Sequence, residues 1–213
     1  MLGRKRGYDR ARLLAEAARA QRRGKLRKAV SLYRDVLRAE PRNADVHRRI
    51  APLLARRGER EAAVASYRRA AAGLEERGFV ERAIGVYREA AGQLPRESAV
   101  WLALAELELK RGRRPDAVAA LLDGRSKLRA RRARPGAIRL LERAYEIAPD
   151  DFEAGFDLTA LLARTGQRDR ALALLDGLAE GRRGPALRRV RARQLNLAPG
   201  PGTAWRLFRS LAA

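Results

Sequence analysis

The feature that most constrains this chain is an internal repeat: residues 44–97 align without a gap onto 98–151, an offset of 54 residues. Gly58 meets Gly112, Ala63 meets Ala117, Ala83-Ile84 meets Ala137-Ile138, and Pro95 meets Pro149. A third copy starts at residue 152, where Gly166 and Ala171 again fall 54 places on, and then degrades. A repeat that returns turn glycines, small apolar residues and stop prolines together specifies a unit of supersecondary structure that packs on its own copies.

Within each copy the apolar residues recur at helical spacing and glycine or proline interrupts them. Residues 9 to 23 form one such run, broken at Gly24; Leu26 to Ala39 resumes through Ala29 and Tyr33 and ends before Pro41. The next helix is expected from about Ala44 to Arg57, with Asn43 or Asp45 as its cap. After the turn at Gly58, a helix over about Arg60–Glu76 carries Ala63 and Tyr67, and after Gly78 a helix over Val80–Gln93 carries Ala83 and Tyr87. The helix between Gly58 and Gly78 therefore serves two hairpins. The small residue lets two helix backbones approach to about 8 Å, and the larger one a turn later fills the adjoining groove. Proline stops a helix because it lacks an amide hydrogen and disfavours helix in the residue before it.

Charge and cysteine content narrow the function. The net charge is +23 and cysteine is absent, so disulfides and thiolate chemistry are excluded. His47 is the only histidine and reads as a partly packed residue, leaving no histidine pair for a metal. Phosphate-binding glycine loops are missing. Glu106, Glu108, Asp150 and Asp151 read as solubility and capping residues. No catalysis, metal or cofactor is expected. No run approaches the apolar length of a membrane span, the basic first residues lack a secretory apolar region, and a cytoplasmic protein is expected.

Trp101-x2-Leu104-Ala105, Gly112 and Ala117-x3-Leu121, with Ala29-x3-Tyr33…Pro41 and Ala83-x3-Tyr87…Pro95, resemble the tetratricopeptide repeat, and in particular bacterial members in which consecutive units share a helix. The resemblance implies an all-α, right-handed α-solenoid of helical hairpins, about twelve helices in all. Its units fall at about 10–43, 44–77, 64–97, 98–131, 118–151 and 152–185, after a basic tail at 1–8. Residues 181–213 depart from the pattern: a basic helix from about Pro185 to Leu197, then a last helix that Thr203 could cap. Trp205, Leu207, Phe208 and Leu211 are expected to make this a capping helix over its neighbour, with partner docking or attachment to anionic membrane as alternatives.

The resemblance also implies a groove lined by first helices, at Leu14, Arg48, Leu102, Glu106, Leu109 and Phe156. The Lys-x3-Asn spacing by which some members grip a peptide carboxylate is absent. Turns of an alternating helical stack fall on two edges, and summed by edge their windows carry +10 and +1. The basic edge comprises Arg22, Arg23, Lys25, Arg56 and Arg57, then Arg131, Arg132, Arg134, Arg164 and Arg168. The expected function is a protein-interaction scaffold with an acidic protein or peptide partner. The alternative is sequence-independent nucleic-acid binding through phosphate contacts, for which base-stacking aromatics are few.

Overall fold

The computed structural model describes residues 8–211, and the basic tail before them lies outside that span. These residues form twelve α-helices with no strand among them. They are α1 (Arg10–Arg22), α2 (Leu26–Ala39), α3 (Ala44–Arg56), α4 (Arg60–Glu75), α5 (Val80–Gln93), α6 (Ser98–Lys110), α7 (Arg114–Lys127), α8 (Arg134–Ile147), α9 (Phe152–Arg164), α10 (Arg168–Ala179), α11 (Gly184–Leu197) and α12 (Pro201–Leu211). The chain divides into two compact units, Met1–Gly112 and Arg113–Ala213.

The 54-residue period is written in the helix starts. Helices α2, α5 and α8 begin at 26, 80 and 134; α3, α6 and α9 at 44, 98 and 152; α4, α7 and α10 at 60, 114 and 168. Their buried small residues recur in register, with Ala29, Ala83 and Ala137 fully buried, as are Ala63, Ala117 and Ala171. Beside them Tyr33, Tyr67, Leu121, Leu141 and Leu175 are almost fully buried, so volume is supplied one turn after each close approach. In the first unit α4 packs against both α3 and α5.

Most turns use one device. Gly58 has φ +79°, and the amide of Glu59 reaches back to the Leu54 carbonyl at 3.0 Å, closing the end of α3 as a left-handed C-cap. Where the period calls for a glycine at 132 the sequence has Arg132, and a 3₁₀ turn over Arg131–Ala133 leads into α8 instead. Two of the three helices that follow stop prolines are capped by side chains: Asn43 Oδ1 accepts from the Val46 amide at 3.2 Å, which settles the choice against Asp45, and Asp151 accepts from Ala154 at 3.0 Å, whereas Glu97 before α6 makes no such bond.

Two expectations fail at the end of the chain. Thr203 does not cap: α12 already starts at Pro201, and the Thr203 hydroxyl donates to the carbonyls of Ala198 at 2.8 Å and Gly200 at 2.9 Å. Nor does α12 use Trp205, Phe208 or Leu211 to cover its neighbour; of the four expected residues only Leu207 does so. The helix packs on α11 through the side bearing Thr203, Leu207 and Ser210, while Trp205, Phe208 and Leu211 remain exposed. The third copy has slipped, since α10 has 12 residues against 14 in α7 and α11 begins at 184, ahead of the 188 that the period requires. That shift moves the apolar residues of the following segment off their former faces.

Candidate functional site

In the first unit the left-handed glycines Gly24 and Gly58 end α1 and α3, and the following residues open α2 and α4. The two turns meet at an open concavity of about 610 Å³ lined by Gly24, Lys25, Leu26, Arg27, Lys28 and Arg57. A neighbouring concavity of about 320 Å³ shares Lys25 and Lys28 and adds Glu16, Arg19, Ala20 and Arg23. Arg57 is paired with Glu59 at 3.0 Å, and Glu16 with Arg12 at 3.8 Å. Arg23, Lys25, Arg27 and Lys28 are exposed and form no ion pair among the described residues. Lys25 occupies the cap position of α2 without a side-chain acceptor, so this helix start presents amide hydrogens toward the same cations. Arg22 and Arg56 stand exposed at the ends of α1 and α3 beside them.

The other edge of the first unit differs in kind. There the turns after α2 and α4 meet around Arg10, Glu40, Arg42, Asp45 and Arg77. Glu40 accepts from the Tyr8 hydroxyl at 2.7 Å and from Arg10 at 3.1 Å, and the Tyr8 bond, followed by that from Asn43, holds its carboxyl below the usual range. Charge on this edge is largely compensated, whereas charge at the α1–α2 and α3–α4 turns is not.

In the second unit Arg131, Arg132, Arg164 and Arg168 are exposed, but Arg134 is half-buried and donates to the Arg164 carbonyl at 3.2 Å. It ties the start of α8 to the end of α9.

The six groove positions do not share one environment. Leu14, Leu102 and Leu109 are half-buried, and Arg48 and Glu106 are exposed. Phe156 is withdrawn: it is 9% exposed, in a core cluster with Leu175, Leu178 and Val190. Its ring stacks on Phe152 at 5.3 Å and lies beneath Arg193, whose guanidinium carbon is 3.4 Å from the ring centre, with Arg189 at 4.5 Å. Arg193 also donates to Thr159 Oγ1 at 2.9 Å. The slipped α11 brings these arginines over the ring, which the sequence period could not show.

Glu108 likewise departs from its reading as a solvated carboxylate, being 2% exposed and paired with Arg88 at 2.8 Å. His47 is buried, and its Nε2 lies 2.9 Å from the Pro41 carbonyl. Trp101, 54 residues later, donates Nε1 to the Pro95 carbonyl at 3.0 Å, so the two rings hold the same place in successive copies. In the third copy that place is Gly155, and a Cβ there would come within 2.8 Å of the Tyr145 ring, which occupies the space from α8. Among the described residues no group of three or more His, Cys, Asp or Glu side chains could hold a metal ion.

Residues 128–193, from the connection before α8 into α11, match the tetratricopeptide-repeat family model. Over that third of the chain the sequence is similar to the tetratricopeptide repeat. A search of curated protein sequences gives no match. Among solved structures, a putative kinesin light chain with nearly identical tetratricopeptide-like repeats from Podosopora anserina is 18% identical, covering 95% of this chain and 92% of that one, with a TM-score of 0.42. YrrB, described as a tetratricopeptide-repeat protein with an unusual peptide-binding site, is 11% identical, covering 94% of this chain and 92% of that one, at a TM-score of 0.30. A tetratricopeptide-repeat protein from Parabacteroides merdae ATCC 43184 is 15% identical over 94% of this chain and 98% of that one, at 0.28.

Proposed function

We propose that this chain is a tetratricopeptide-repeat, non-catalytic scaffold that holds an acidic segment of a partner protein against the α1–α2 and α3–α4 turns of its first unit. The observation that carries this reading is the set of four exposed cations, Arg23, Lys25, Arg27 and Lys28, without acidic partners around an uncapped helix start. Carboxylates of an extended segment can take both the side-chain charges and the free amide hydrogens. Half-buried Leu102 and Leu109 on α6, with Arg48 and Glu106 exposed on first helices of the same unit, offer a second place where apolar side chains of the partner would bind. A protein partner is favoured over nucleic acid because neither cationic concavity is lined by an aromatic side chain on which a base could stack.

The test compares a labelled Glu-rich peptide with a random single-stranded oligonucleotide, both titrated against the full chain over a salt series. The peptide is expected to bind more tightly at physiological salt, and the double variant Lys25→Glu/Lys28→Glu to weaken it by about tenfold or more. Tighter binding of the oligonucleotide, lost in the same variant, would replace this reading with the phosphate-contact one. Peptide affinity unchanged in the variant would remove this edge as the site.

A further inference from the structure

The outward side of α12 presents three of the five large hydrophobic side chains exposed among the described residues. Trp205 is 59% exposed and Phe208 and Leu211 are each 61% exposed. Trp205 and Phe208 stack on one another at 5.6 Å, forming one aromatic ridge. The helix is held from behind by Thr203, Leu207 and Ser210 against α11, so the ridge faces away from its own unit.

The charge around this ridge is mostly positive, with Asp176 of α10 4.0 Å from Arg206 as an acidic neighbour. From Arg182 to Leu211 the sequence has eight arginines and no aspartate or glutamate. Arg206 and Arg209 follow Trp205 and Phe208 by one residue each, which at about 100° per residue sets them along one flank of the apolar side, between it and the packed side. The remaining arginines lie in or just before α11, which packs on α12; of these Arg189 is paired with Glu153 and Arg193 lies over Phe156. A second copy of this chain would bring the same +23 charge to the ridge, which opposes self-association there.

We infer that α12 is an interfacial anchor that lies on an anionic lipid surface, its Trp205–Phe208–Leu211 side among the acyl chains and its arginines at the headgroup phosphates. The helix has 11 residues, too short to span a bilayer, and no helix among the described residues is long and apolar enough to cross one. A short apolar face alone binds a bilayer weakly, and anionic lipid adds attraction for each nearby cation, so the two features act together.

Tryptophan emission provides the test, because Trp101 is 6% exposed in the core and Trp205 reports on the ridge. The full chain is mixed with vesicles of phosphatidylcholine alone or with phosphatidylglycerol, and with vesicles carrying brominated acyl chains. Sedimentation with the anionic vesicles, a blue shift and quenching by the brominated chains are expected. Phe208→Ser/Leu211→Ser, both exposed positions, should leave helix content unchanged by circular dichroism and lower partitioning by about tenfold or more. Lys25→Glu/Lys28→Glu, remote in sequence on the first unit, should leave the quenching in place. Sedimentation that the Phe208→Ser/Leu211→Ser variant retains would overturn the inference as adsorption by charge alone. Absence of sedimentation would overturn it too, as would a dimer in solution whose Trp205 emission vesicles do not alter.

Discussion

At the scale of single residues, places where one copy departs from its siblings are the most informative. Glu108 falls where the adjacent copies carry Leu54 and Leu162, each 2% exposed, so a carboxylate has been set into an apolar layer and is held there by Arg88. Such a pair loses much of its attraction to desolvation, and Glu108→Leu is expected to raise stability by about 1–2 kcal/mol in urea unfolding. A loss would show that the pair outweighs packing. His47 sits where the next copy has Trp101, and burial pulls its pKa below the ordinary value. Because the folded chain binds the proton more weakly than the unfolded chain, stability is full above about pH 6.5 and declines as pH falls through that value toward the lowered one. Melting temperatures taken from about pH 7.5 to about pH 5.5 should fall, and His47→Phe should flatten that part of the curve. A slope that survives the substitution would assign it to other groups.

At the scale of the helix and its turn, glycines separate into three kinds with different consequences. Gly58 has φ +79° with open space where a Cβ would stand, so Gly58→Ala should cost about 1–2 kcal/mol through backbone strain alone. Gly92 lies inside α5, again with open space but with no positive φ, and Gly92→Ala should stabilise by about 0.5–1 kcal/mol through helix propensity. Gly155 lies inside α9, yet its missing side chain makes room for Tyr145, so Gly155→Ala should destabilise despite the same propensity gain. Denaturant midpoints of the three variants test the ordering, and equal effects would contradict it. The repeat pattern marked Gly58 for its turn, but the role of Gly155 required the position of the ring on the preceding helix.

At the scale of the whole molecule, the formal charge of +23 dominates. Local ion pairs such as Arg10–Glu40 and Lys110–Glu75 are solvent-facing and contribute little each, whereas repulsion among unpaired arginines acts throughout. The melting temperature is therefore expected to rise as salt is added from low ionic strength to physiological, because screening relieves repulsion more than it weakens the pairs. A falling melting temperature would show that the pairs prevail. The same field draws anionic partners to the chain, and the local arrangement of cations then decides where they rest.

Helix number, helix type and most boundaries were legible in the sequence because turn glycines, stop prolines and buried alanines are local requirements that recur every 54 residues. The tetratricopeptide resemblance came from the same residues, as did the unequal charge of the turns. Tertiary structure decided what periodicity cannot carry. It buried Phe156 under Arg193 once α11 had slipped out of register, placed Glu108 in the core, and turned the aromatic side of α12 outward. The physical reason is that local pattern fixes where a helix starts and which side is apolar, while the neighbour on that side depends on contacts between residues far apart in the chain.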